Sequence, residues 1–184
     1  EMAPSQQIST LLAESGAVEA RSILNVFGGI SMFLGLYFLA RSLKSDNTVS
    51  NHFAEIGGLL LLVSLPIWVA LMGTDISAVD AAKEIGGAAG ESVGATIIAS
   101  SIMLEIGGGM LLIVGIFMLG ISLTILKKYK GVIGALFIIA SVCAFSDVIF
   151  DIEALAIIVW MGMFLTTLIM GILTTLQKEN QPEA

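Results

Sequence analysis

The sequence predicts an all-α integral membrane protein, a five-helix transmembrane bundle. Three observations carry that prediction. The chain of 184 residues is 57% hydrophobic and only 12% charged, with a mean hydropathy of +0.99. A soluble domain of this size carries about a quarter charged residues. Several apolar stretches reach the roughly 20 residues that a helix needs to cross a bilayer. The basic residues gather at alternate ends of those stretches. A soluble helical protein with an outsized core is the competing reading, but its buried helices rarely run so long.

The spans fall at about 22–43, 53–72, 95–126, 132–150 and 154–176, all in one membrane domain covering 1–184. The apolar run 132–176 must be two helices, because as one it would extend roughly 68 Å, about twice a hydrocarbon core. Arg41 and Lys44 follow the first span, Lys127, Lys128 and Lys130 fill the turn after the third, and Lys178 follows the fifth. Only Arg21 and Lys83 fall on the other side. The positive-inside rule then places the N-terminus outside and the C-terminus in the cytoplasm of a multi-pass cell-membrane protein. The sequence begins at Glu1. A removed signal peptide or an earlier helix would reconcile an N-out start with insertion.

Two outer segments, 1–21 and 74–94, lie between or before the spans. In the first, Ser5 is a candidate N-cap and Gly16 a candidate C-cap, and Ile8, Leu11 and Leu12 share a face. This predicts a short helix on the outer surface. In the second, Ser77 and Asp80 resemble a capping box with Asp in place of Glu. Ala78, Ala82, Gly86, Gly90 and Gly94 recur every four residues and form a smooth helix side. That side is either an interface for a neighbouring subunit or a Gly-rich segment packed on its own bundle. Pro66 should kink the second span, with Ser64 satisfying a freed carbonyl.

The acids of FSDVIFDIEAL, 145–155, need an account inside so apolar a run. Asp151 and Glu153 fall where the fifth helix must start, and acids there cap free N–H groups and meet the positive end of the dipole. Counting the helical rise from the basic turn puts Glu105 and Asp147 near the outer rim, roughly 33 and 24 Å up. Ionisable groups at such depths usually have partners. Arg21 is the best internal partner for a cluster of Glu105, Asp147, Asp151 and Glu153. A basic residue of another subunit, or a bound proton or cation, are the alternatives, and four carboxylates without histidine suit a hard cation such as calcium. No cofactor is predicted beyond that option.

At the inner side HFAE sets His52 and Glu55 three apart on one helix face. Metal sites in helical bundles draw Glu-x-x-His pairs from two helices. One reversed pair is better explained as a surface feature of a helix start, so no metal centre is assigned. Cys143 stands alone, which excludes an internal disulfide. The nine Met residues are scattered and read as packing. A net charge of −7 and a pI of about 4.5 argue against nucleic acid as a partner.

The segment MLGISLTILKKYKGVIGALFIIASVCAFSDV, 118–148, resembles the C-terminal half of a family of small multi-pass membrane proteins of unknown function. GLYFLARSLK, 35–44, is similar to the end of one of its earlier spans. The resemblance implies a helical bundle and no activity. Members tend to carry a further N-terminal helix, which this sequence does not show. No nucleophile, histidine cluster or phosphate loop is visible, so an enzyme is not expected. The expected function is a non-catalytic accessory or structural subunit of a larger membrane complex, packed through Gly/Ala-rich helix faces, with lipid and other membrane subunits as partners. The alternative is a small transporter or channel with an acidic outer vestibule.

Overall fold

A computed structural model describes residues 3–150, 162 and 165–169. Among them every regular element is helical. In chain order these are α1 (Pro4–Ala13), α2 (Ser15–Ser42), α3 (Thr48–Ile85), α4 (Gly87–Ile125) and α5 (Val132–Phe150), with a 3₁₀ turn at Lys128–Gly131 before α5. Helices α2, α3 and α4 are each long and apolar enough to cross a membrane. The fourth predicted span, 132–150, coincides with α5. Of the fifth, 154–176, only residues 162 and 165–169 are described, and they are helical.

The segment 74–94, read as lying outside the membrane, is almost wholly helical: α3 runs unbroken through Pro66 to Ile85 and α4 begins at Gly87. The segment is rich in alanine, the best helix former, so losing hydropathy does not end the helix. The turn is confined to two glycines. Gly86 and Gly87 have φ of 73° and 59°, a left-handed region that a Cβ disfavours. Ser77 is therefore no N-cap. It lies inside α3, and its hydroxyl donates to the Gly73 carbonyl at 2.9 Å.

The predicted caps of the first helix are also displaced. Pro4 opens α1 after an extended Ala3, where its missing N–H costs nothing. The C-cap is Glu14, and Gly16 already belongs to α2.

The described contacts divide into two compact units, 1–31 with 63–110 and 32–62 with 111–184. In the first unit, Ile8 and Leu11 of α1 are buried with Val18, Ala78, Val79, Ala82 and Ile98. Leu12 packs against this cluster, so the predicted apolar face of α1 is the face it buries. The small-residue stripe builds the seat. A Cβ on Gly94 would stand 2.8 Å from Ile8 and 3.0 Å from the Ala78 carbonyl, and one on Gly90 would strike the Ala82 carbonyl. Ala78, Ala82, Gly90 and Gly94 are thus spent on packing inside the chain, and Gly86 makes the turn. In the same unit Gly29 makes room for the Trp68 indole, and Gly108 for Ile67.

In the second unit, α3 and α4 meet at Gly57 and Gly115, and α4 and α5 at Gly120 and Gly134. At both crossings the missing Cβ atoms let backbone lie against backbone, which is how helices gain van der Waals contact where lipid removes the hydrophobic drive. Leu61, Leu119, Leu123 and Phe137 are buried around these crossings. The buried hydroxyls of Ser50 and Ser122 lie 2.8 Å apart, which satisfies polar groups that would otherwise be costly there.

Candidate functional site: a basic cleft between α2 and α3

Within the second unit, the end of α2 and the start of α3 enclose a cleft of about 300 Å³. Its floor is made by small residues. Gly58 faces Ala40, and a Cβ added at Gly58 would lie 2.8 Å from that of Ala40 and 3.5 Å from the Tyr37 ring. Ala40, Ala54 and Gly58 are all buried, and the hollow exists because none of them fills it. The walls carry the chemistry. Arg41 and Lys44 come from α2 and the residues just after it, Glu55 and Asn51 from α3, and Leu59 and Leu62 continue the cleft along α3. Arg41, Lys44, Glu55, Leu59 and Leu62 are exposed, so the cleft is open to its surroundings.

The local fold fixes this arrangement. Asn47 caps α3, its Oδ1 accepting from the Ser50 N–H at 3.0 Å. Asn51 clamps the connecting loop, accepting from the Ser45 N–H at 3.0 Å and donating to the Ser45 carbonyl at 2.7 Å. Arg41 sits in the last turn of α2, where the negative end of the helix dipole favours a cation. Among the described residues, neither Arg41 nor Lys44 forms an ion pair with Glu55. The cleft presents two cations, one carboxylate and the Tyr37 side chain to whatever enters it.

The predicted inner pair is separated in role. Glu55 lines the cleft, whereas His52 is exposed outside it and its Nδ1 donates to the Thr48 carbonyl at 2.7 Å. Among the described residues no three His, Cys, Asp or Glu side chains gather as metal ligands. Arg41 and Lys44 enter the sequence reading only as markers of orientation. Their meeting with Glu55 depends on the α2–α3 crossing at Ala40 and Gly58, which no single motif announces.

Of the predicted outer cluster, Glu105 is exposed on α4, Asp147 falls within α5, and Asp151 and Glu153 lie outside the described residues. Arg21 is engaged within its own unit by an acid the sequence reading did not single out. It pairs with Glu14 at 3.4 Å, both side chains about half exposed. Asp75, past the apolar run of α3, is the second such acid. Burial raises its carboxyl above the usual carboxylate range, and the Arg21 charge pulls it partly back. Cys143 is a half-buried free thiol on α5.

Comparison with protein-family models found no match, and no curated protein and no solved structure matches the chain.

Proposed function

We propose that the chain is a non-catalytic subunit of a larger membrane complex, with five spans, its N-terminus outside and its C-terminus in the cytoplasm. The observation that carries this reading is the contrast among the glycines. Gly57, Gly58, Gly115, Gly120 and Gly134 each press against a neighbouring helix. Gly28 and Gly35 of α2 each have, among the described residues, open space where a Cβ would stand. Leu24, Phe27, Ser31 and Phe38 are exposed on the same helix. A glycine that no described residue packs against is where another transmembrane helix can approach closely.

The topology draws its support from charge. In the sequence Arg41, Lys44, Lys127, Lys128, Lys130 and Lys178 follow the first, third and fifth spans, and Arg21 and Lys83 fall at the other ends. This is the sidedness that the positive-inside rule reads.

The test is native electrophoresis of gently solubilised membranes with mass spectrometry of the co-migrating chains. A stoichiometric complex of different chains supports the subunit reading. Migration alone overturns it and moves the weight to transport.

A further inference from the structure

A membrane chain that ends a span with two cations beside a hollow has a ready occupant in the membrane itself. We infer that the α2–α3 cleft is a binding site for one anionic phospholipid, its phosphate held by Arg41 and Lys44 and an acyl chain lying along Leu59 and Leu62. This rests on α2 and α3 being membrane-spanning helices, and it stands whether or not the chain is a subunit.

Three features of the cleft argue for it. The first is charge. Two cations and one carboxylate leave an excess of one positive charge, which matches a singly charged headgroup. Arg41 offers a planar fork for phosphate oxygens, and Lys44 a mobile point charge beside it. Among the described residues neither is engaged by an acid of the cleft, so both are available.

The second is the position of Glu55. A carboxylate would repel a bare phosphate, but it accepts hydrogen bonds from a headgroup that also carries hydroxyl donors. A polyol headgroup such as glycerol supplies them, and choline does not. Glu55 would also attract a choline ammonium, so the preference for an anionic lipid rests on Arg41 and Lys44.

The third is the continuity of polar and apolar lining. Arg41 and Lys44 lie at the end of the apolar run of α2. One and two turns further along α3, Leu59 and Leu62 are exposed and line the same cleft. A soluble phosphate compound would use the cations and leave this apolar wall in contact with water. A lipid uses both. Basic recesses between helices at the cytoplasmic side are where anionic headgroups are bound.

The experiment is native mass spectrometry of the full chain in detergent, titrated with phosphatidylglycerol, with phosphatidylcholine, and with glycerol 3-phosphate as a competitor. One phosphatidylglycerol should bind per chain, about fivefold more tightly than phosphatidylcholine, given an excess of one positive charge and roughly 1 kcal/mol per basic residue near an anionic lipid. R41Q/K44Q should remove that preference, and E55Q should widen it. If the double variant does not fold, K44Q alone serves, because Lys44 is exposed and lies beyond the end of α2. Equal binding of the two lipids, or an unchanged preference in K44Q and R41Q/K44Q, would overturn the proposal. Displacement of the lipid by equimolar glycerol 3-phosphate would overturn it too, since the site would then be one for a free phosphate anion.

Discussion

Gly57 of α3 and Gly115 of α4 face each other with backbone close against backbone. A Cβ on Gly57 would lie 2.8 Å from the Gly115 carbonyl oxygen, and one on Gly115 would lie 3.2 Å from that of Gly57. Backbone cannot swing aside as a flexible side chain can, so the crossing tolerates no larger residue without the helices moving apart.

Gly57→Ala should therefore destabilise the chain by about 1–3 kcal/mol, the range for overpacking a close contact. Gly16→Ala, on α2 with open space around it, should be neutral or gain up to about 1 kcal/mol from helix propensity. Thermal unfolding of the two variants in one detergent checks the contrast. Equal effects would mean that the crossing is not tight.

Gly28→Leu separates packing within the chain from packing between chains. Its position is open, so the isolated chain should unfold within a degree or two of the parent. Co-migration with partner chains on native gels should be lost or reduced several-fold. A stability loss with assembly intact would place this face inside the fold instead.

The α3–α4 turn depends on Gly86. At φ 73° an L side chain crowds its own backbone, and Gly86→Ala should cost about 1–2 kcal/mol. Hydrogen exchange should show the loss near residues 82–90 and leave the Gly57–Gly115 crossing protected.

Ser50 and Ser122 form a buried polar contact between α3 and α4. Ser50→Ala should cost about 1 kcal/mol, since it leaves the Ser122 hydroxyl without its partner. The Ser50→Ala/Ser122→Ala double variant should cost less than the sum of the single ones. Additive losses in a double-mutant cycle would mean that the hydroxyls act independently.

Asp75 links stability to pH with a sign opposite to that of a salt-bridged acid. Its folded pKa lies above its unfolded one, so the folded state holds the proton more tightly. Stability is lost as pH rises from the unfolded pKa through the folded one. The melting temperature of Asp75→Asn minus that of the parent should therefore increase with pH across that window. A difference that falls with pH would mean that attraction to Arg21 outweighs burial.

How far the sequence reveals this fold depends on which force sets each boundary. The start of α5 was legible because three lysines and Gly131 interrupt an apolar run. The apolar face of α1 was legible from the spacing of Ile8, Leu11 and Leu12, but its caps were not, because Ser5 and Gly16 offered caps that Pro4 and Glu14 displaced. The ends of α3 and α4 are not legible from hydropathy, which marks where lipid would end, whereas Ala78, Ala82 and their neighbours continue the helix past that point. Of the ten residues that line the cleft, the sequence points only to Glu55. Glu55 was singled out beside His52, its neighbour in sequence, yet its companions in space, Arg41 and Lys44, belong to another helix. Such a site is set by where α2 and α3 cross.

The most direct test of the account is which side of the membrane its charged ends occupy. Single cysteines are placed in a Cys143→Ser background at Lys83, Lys44 and Lys128, and intact cells are treated with a membrane-impermeant maleimide. Lys83→Cys should be labelled from outside, whereas Lys44→Cys and Lys128→Cys should be labelled only after permeabilisation. Labelling of all three in intact cells, or of Lys44→Cys and Lys128→Cys alone, would contradict it.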